Sequence, residues 1–408
     1  MPNSDRIVSI RAYVVTDVPA PAPERPLPQE LSSDLRDWRR GKVANPMTKY
    51  PEFRDHRPSA TGRDSGRMMI VEAESANGHI GFGMTNGGVA AAAIVELHLA
   101  DMVEGQSPFA HEAIYDRMFL STLLYGRKGL VLHAISAVDL AVWDLHGRIA
   151  GEPVYALSGG PLRDSIDVYA TGPEARPLKE LGFWGAKLPL TWAPSEGEQG
   201  FRNNVDRARR AREAVGDDFP LFYDCWMSLD VDYATRLAHA LEPLGFRWLE
   251  EPLRPDDYGG HAELRRRMPS TMTLNTGEHE YTAAGFRLLC EAGMDVLQPD
   301  PSWCGGFTEL KRIANVASGY GKRIIPHVGG AYSFHFLAGY PEATLGEFPI
   351  MSGACDEITP LYGTLLHGDP LPVDGKVSLT EEPGFGLTLN PDTGLARPVT
   401  RETLASLS

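Results

Sequence analysis

The stretch Leu221 to Pro252, LFYDCWMSLDVDYATRLAHALEPLGFRWLEEP, decides the fold. It holds a short apolar strand, Leu221 to Cys225, carrying Asp224, then a helix-length amphipathic segment from Tyr233 to Leu244. A second strand, Arg247 to Glu250, again ends on an acid. Strand, crossover helix, strand is the unit from which parallel sheets are built. The same rhythm extends both ways, with strands expected at Ile166–Thr171, Gly185–Leu190, Thr273–Gly277, Val296–Gln298, Arg323–Pro326 and Thr344–Glu347. Further helices read at Gly200–Val215, Ala262–Arg267, Ala283–Ala292 and Thr308–Tyr320, while the segment before the last strand is short. Eight strands suggest a closed barrel. A doubly wound open sheet is the rival, but it would normally advertise a nucleotide loop. The G-x-x-G-x-G run at Gly78–Gly83 follows a hairpin turn with no helix behind it.

Upstream the pattern is α+β. Strands read at Ile7–Val15, Met68–Glu74 and Ile80–Met84, the last two joined by an Asn77-Gly78 turn signal. Helical periodicity covers Ala90–Val103, Ala110–Leu123 and Leu130–Ile149. Between the first two strands, Thr16 to Arg67 is Pro-rich and too long for an ordinary connection, so it reads as a functional lid or plain disorder. Beyond Ser352 the chain is turn-rich, with a Gly384-Phe385-Gly386 run that must pack somewhere, the front domain being one option.

Composition narrows the function classes. The 408 residues are 42% hydrophobic, which favours two or three domains or one large barrel with an addition and excludes wholesale disorder. With 54 acids against 39 bases, the net charge of −15 leaves no basic face for nucleic acid or an anionic membrane. Cys225, Cys290, Cys304 and Cys355 form no C-x-x-C pair or disulfide framework, which fits a reducing cytoplasm. No signal-like leader opens the sequence, and no stretch is read as approaching the ~20 apolar residues of a membrane span.

In a barrel, the carboxyl ends of the strands converge on one mouth. There the sequence places Asp224, Glu250, Glu278, Asp300, His327 and Glu347, separated by 26, 28, 22, 27 and 20 residues. Each interval is about one strand plus one helix. A lone acid at such a place is more often a helix cap or solvated loop residue. Six successive strand ends with ionisable groups are harder to explain that way. Carboxylates from adjacent strands repel unless a cation lies between them. All-oxygen ligation favours Mg²⁺, whereas zinc would want His or Cys ligands, and a metal-free acid cluster is the remaining alternative. Asp300, on the strand before His327, can accept from one ring nitrogen and raise the basicity of the other, making His327 a general base. A purely structural His–Asp bond is the bland reading. Glu347 can donate or accept a hydrogen bond if it stays protonated in so acidic a site.

In this order Asp224, Glu250-Glu251-Pro252, Gly277-Glu278-His279, Asp300, His327 and Glu347 resemble the enolase superfamily, mandelate racemase subgroup. The runs NPMTKY (45–50), DCWMS (224–228), QPD with WCGG (298–306) and PGFG (383–386) resemble its L-rhamnonate dehydratases more closely still. The resemblance implies an α/β fold: a modified TIM barrel, (β/α)₇β, with an α+β capping domain. It divides the chain into a cap at 1–130, a barrel at 131–365 and a carboxyl-terminal segment at 366–408 that packs back on the cap. It also implies Mg²⁺ held by Asp224, Glu250 and Glu278, His327 as base assisted by Asp300, and Glu347 touching the substrate or its enediolate. Glu251 and His279, beside the ligands, are not the first choices. An even-numbered homo-oligomer is implied as well.

Related racemases carry a Lys-x-Lys pair on the second strand, whose second lysine is a base on the opposite face. Here the run is Lys187-Leu188-Pro189, and proline cannot carry a proton. One base on one face favours β-elimination of water from a sugar acid over racemisation. Arg57 matches a substrate-contacting arginine of the resembled family, with a solvated loop arginine as the plain alternative. A histidine expected further upstream is missing, since none occurs between Met1 and Phe53; Glu30 to Asp34 occupy the region, and His56 is the candidate substitute. That departure leaves L-rhamnonate, L-lyxonate, L-mannonate or another acid sugar open. A non-catalytic metal-binding barrel and a metal-dependent hydrolase are the competing classes.

Overall fold

The computed structural model describes residues 5–19, 41–55, 66–328 and 330–405. The cap is an antiparallel sheet of β1 (Ile7–Asp17), β2 (Met68–Ser75) and β3 (Ile80–Asn86), close to the expected strands. Its buried positions alternate along β1 at Ile10, Ala12 and Val14, so one face meets the cap helices. Those helices are Gly88–Ile94, continued through a π turn at Val95–Leu99 into Ala100–Val103, then His111–Thr122 and Leu130–Ala150. The last lies directly on β3. A Cβ at Gly81 would sit 2.2 Å from the Leu145 backbone nitrogen, and one at Gly83 would sit 2.2 Å from the Ala137 carbonyl oxygen. Glycine is required at both places for the helix to come that close.

Eight parallel strands follow: β4 (Ser165–Thr171), β5 (Ala186–Pro189), β6 (Leu221–Asp224), β7 (Phe246–Glu250), β8 (Thr273–Thr276), β9 (Val296–Leu297), β10 (Arg323–Ile324) and β11 (Leu345–Pro349). Their order in the sheet is β10-β9-β8-β7-β6-β5-β4-β11. Pairing of the last strand with the first, Leu345 opposite Asp167 through Pro349 opposite Thr171, curls the sheet into the expected (β/α)₇β form. Seven helices fill the seven connections. Two of them carry no helical stripe to read: Ala175–Glu180 is only 6 residues long, and Ala331–Gly339 is buried at every position from Ala331 to Ala338.

The two-residue period of the strands explains what fills the barrel and what crowns it. Tyr169, Phe222, Trp248, Val296 and Ile325 form a buried apolar plug, with Leu345 packed against it. Two residues further along the same inward face stand Thr171, Asp224, Glu250, Gln298, His327 and Glu347. Every polar group at this level therefore lies roughly 7 Å above an apolar neighbour.

The carboxyl-terminal part contributes β12 (Leu366–His367), β13 (Lys376–Ser378), β14 (Thr388–Leu389) and β15 (Gly394–Ala396). β13 flanks β4, and β15 pairs antiparallel with β1, Ala396 opposite Val14, so this segment does return to the cap. Buried Asp144 joins three parts of the molecule. Its carboxylate accepts from Phe82 N of β3 at 3.0 Å, from Phe385 N of the tail at 2.9 Å and from Arg148 Nε at 2.6 Å. The expectation that no segment matches a membrane span needs correction: Leu130–Ala150 is 21 residues long and apolar enough by composition. It is a core helix, buried between cap and barrel. Trp143 Nε1 donates to Thr308 Oγ1 at 2.9 Å, and Asp139 accepts from Thr308 N at 2.9 Å.

Candidate active site and metal centre

A cavity of about 810 Å³ opens over the carboxyl ends of the strands. Asp224, Glu278, His327 and Glu347 line it, with Glu250 buried just beneath and Asp300 buried behind His327. The cap contributes Val43, Asn45, Pro46 and Met47 from one side and Gly129, Leu130 and His133 from another. The Val43–Met47 stretch is held on the barrel by Ala44 N donating to Leu190 O at 2.8 Å and by Ser195 Oγ donating to Thr48 O at 2.8 Å. Arg57, His56 and the Glu30–Asp34 region lie outside the described residues.

His327 and Asp300 form the expected dyad. Nδ1 donates to Asp300 Oδ2 at 2.7 Å, and Ser302 holds the other Asp300 oxygen through N at 2.7 Å and Oγ at 2.6 Å. The ring is thereby fixed with Nε2 facing the cavity, 3.4 Å from Glu278 Oε2. Burial pulls the His327 pKa down, but the charges of Glu278, Asp300 and Glu347 outweigh it and lift it to about 10. Glu278 is the largest of these lifting influences, so any cation held by Glu278 weakens it and brings His327 back toward a base.

Lys187 was legible only as half of a broken pair, and it proves central. Its buried ammonium contacts Glu250 Oε1, lies 2.8 Å from Glu347 Oε1 and stands 3.9 Å from Asp224 Oδ2. Gln298 Nε2 donates to the other Glu250 oxygen at 2.7 Å, fixing that carboxylate from both sides. Burial, with the neighbouring acids, raises Asp224, Glu250 and Glu278 above ordinary carboxylate values. Glu347 departs from expectation. Burial would raise it too, yet the charges of Lys187 and His327 and hydrogen bonds from Lys187 and Thr171 win, and its pKa falls. It is an anion here and not a proton donor, with Oε2 buried and unpartnered.

The residues fit a hard cation, though the carboxylates are drawn differently from expectation. Ligand atoms of Glu251, Glu278 and His279 gather within 4.8 Å of one another, whereas Asp224 and Glu250 turn toward Lys187. His279 Nδ1 is already committed to Glu251 Oε2 at 2.8 Å, and Glu251 is buried outside the cavity lining. The all-oxygen set from three adjacent strands, Asp224, Glu250 and Glu278, suits Mg²⁺ better. The loops that carry these ends are strained: Trp226 (φ +38°), Met227 (φ +60°) and Glu251 (φ +41°) adopt left-handed backbone without being glycine.

Comparison with known proteins agrees with this architecture. Residues 46–159 match the mandelate racemase / muconate lactonizing enzyme N-terminal domain, and residues 172–393 match the enolase C-terminal domain-like family. The chain belongs to the mandelate racemase group of the enolase superfamily. Within that superfamily it is 51% identical over 362 residues to an L-rhamnonate dehydratase of Saccharopolyspora erythraea, covering 88% of this chain and 93% of that one. The rhamnonate dehydratase of Gibberella zeae, solved in complex with Mg, superposes with a TM-score of 0.89 at 36% identity, over 96% of this chain and 95% of that one. A magnesium-bound racemase from Streptomyces coelicolor A3(2) gives 0.74 at 27% identity, over 94% and 97%. In the superfamily barrel seen here, Lys187, Gln298, Thr171, Tyr281, Trp303 and His133 also join the site, though the sequence marks Lys187 only as half of a broken pair and Trp303 only within the WCGG run. For the first three, the two-residue step from Gly185, Val296 and Tyr169 is a usable signal. His133 reaches the mouth from a cap helix and carries no sequence signal of its own.

Proposed function

We propose that this protein is a Mg²⁺-dependent hydro-lyase that dehydrates an aldonic acid to a 2-keto-3-deoxy acid, with L-rhamnonate as the first substrate to test. The observation that carries the reading is one oriented His327–Asp300 dyad at the mouth, with Pro189 where a second base would have to stand. The 51% identity to an L-rhamnonate dehydratase supports it. Asp224, Glu250 and Glu278 would hold Mg²⁺, which when bound supplies Lewis-acid stabilisation of the enediolate that forms as the C2 proton leaves. His327 takes that proton. The resulting imidazolium, held in place by Asp300, then protonates the C3 hydroxyl as the C–O bond breaks, and water departs. The enol left behind becomes the 2-keto acid. Glu347, anionic and close to Lys187, contacts the substrate where charge develops, and Arg57 is a further substrate contact. The absent upstream histidine keeps L-lyxonate and L-mannonate as second substrates to try.

The same reading divides the chain into cap (1–130), barrel (131–365) and returning carboxyl-terminal segment (366–408), with the helix Leu130–Ala150 as the shared wall. It takes the protein to be a cytoplasmic homo-oligomer acting on a small acid sugar, with no nucleic-acid or membrane partner. The test is to incubate the protein and Mg²⁺ with a panel of five- and six-carbon aldonic acids and assay 2-keto-3-deoxy products. No product from any of them overturns the dehydratase. Deuterium entering C2 from solvent without dehydration points to an epimerase instead.

A further inference from the structure

Trp303, on the cavity wall, has three imidazoles around it, among them His279 at 5.5 Å between ring centroids. His327 lies at 5.1 Å between ring centroids, and His133 stacks at 5.6 Å with its plane within 7° of the indole. His133 belongs to the cap helix Leu130–Ala150, and it lines the cavity together with Tyr281 from the loop after β8. The mechanism above uses neither. His133 Nδ1 lies 3.3 Å from the Asn86 carbonyl oxygen, and its Nε2 lies 3.2 Å from the Tyr281 hydroxyl.

These contacts leave one proton arrangement. A carbonyl can only accept, so Nδ1 carries the hydrogen. Burial lowers the His133 pKa to about 4, against smaller opposing influences from Asn86 and Asp300, so the ring is neutral near pH 7 and its Nε2 is a bare acceptor. Burial also keeps the Tyr281 phenol protonated. Its single proton is then committed to His133, and toward anything else Tyr281 can only accept.

We propose that Tyr281, with its hydroxyl oriented by His133 and Asn86, is a specificity-determining residue that accepts a hydrogen bond from one hydroxyl of the sugar acid beyond C3. The assignment rests on the dehydratase reading and extends it to the substrate's distal half. A carbonyl, ether or second carboxylate oxygen at that position has no proton to give and is disfavoured, so the site selects a mono-acid polyol over a diacid. The hydrogen-bond chain also ties cap to barrel, which is the role a merely structural contact would have.

The experiment compares wild type, Tyr281→Phe and His133→Gln on the accepted aldonic acid and on analogues deoxygenated in turn at each position beyond C3. Magnesium affinity is measured alongside. Wild type should lose about tenfold in kcat/KM on one analogue, mainly through KM. Tyr281→Phe should treat that analogue and the parent alike, with magnesium affinity unchanged. His133→Gln, whose amide can donate to Asn86 and accept from Tyr281, should retain the wild-type preference. If wild type turns over but Tyr281→Phe keeps the full preference, or loses kcat equally on every acid, this assignment is overturned alone. If wild type dehydrates none of the acids, the dehydratase reading falls and takes the assignment with it.

Discussion

Replacing Lys187 by methionine removes a buried ammonium, the only one among the described residues in contact with the site's carboxylates, while nearly preserving its volume. Its Nζ touches Glu250, lies 2.8 Å from Glu347 and stands 3.9 Å from Asp224, with the side chain only 1% exposed. Two buried charged hydrogen bonds are lost, at about 1.5–3 kcal/mol each. That total, about 3–6 kcal/mol, agrees with the roughly 3–5 kcal/mol cost of leaving one side of a buried ion pair unmatched. Proton uptake recovers part of it. Burial and its acidic neighbours already hold Glu250 above the ordinary carboxylate range, and each pKa unit is worth about 1.4 kcal/mol. A net loss of about 3 kcal/mol is expected in protein stripped of divalent metal with a chelator. With excess Mg²⁺ the missing positive charge is replaced among the same carboxylates, and the deficit should shrink to about 1 kcal/mol or less. Urea unfolding followed by circular dichroism, with chelator and with Mg²⁺, measures both. A deficit of equal size in the two conditions, or none under chelation, refutes the electrostatic role given to Lys187.

Three other outcomes are expected. His327→Asn should lower turnover by about 10² or more while leaving Mg²⁺ affinity intact, and near-wild-type dehydration by the variant would remove His327 from the mechanism. Asp144→Ala leaves the Phe82 and Phe385 amides without acceptors and should cost about 2–5 kcal/mol in urea unfolding; a cost below about 1 kcal/mol would show that Asp144 does not clamp cap and tail. His335, buried and accepting from Tyr155 N at 3.2 Å, has its pKa lowered by burial to about 4. The unfolded chain therefore binds a proton between pH 6.5 and 4 that the folded protein does not, and stability falls as the pH drops. Between pH 7.5 and 5.5 the wild type should lose about 1.4 kcal/mol more than His335→Gln; parallel pH profiles would contradict a neutral buried imidazole.

How much of this was legible differs from residue to residue, for physical reasons. Asp224, Glu250, His327 and Glu347 stand at or near the ends of short apolar strands set one βα unit apart, and both the strand and the interval leave a mark in the sequence. Lys187 sits on the same face at the same level, but a lysine on a four-residue strand next to proline looks like a broken motif. Its role depends on acids contributed by three other strands. Gln298 looks like a spacer before Pro299 and Asp300 until its amide is seen on Glu250. His133 lies in a helix whose apolar periodicity is a packing signal, and only the crossing of that helix over β3, permitted by Gly81 and Gly83, turns the side chain to the mouth. Acid crowding taken alone would let Glu347 keep a proton, and the Lys187 ammonium beside it works the other way.

The plug beneath the site joins these facts. Tyr169, Phe222, Trp248, Val296 and Ile325 fill the barrel with apolar volume, so the charged layer two residues above cannot be solvated from below. Burial is accordingly the largest single influence on Asp224, Glu250 and Glu278, and in each it raises the cost of the anion. Lys187 and a protonated His327 face five acidic side chains, Asp224, Glu250, Glu278, Asp300 and Glu347, so acids outnumber cations at the mouth. A divalent cation offsets that excess. The layer is therefore built to be electrostatically incomplete on its own. The His327 proton stands in for part of the missing charge, so occupying the metal site and freeing the base are two sides of one charge balance.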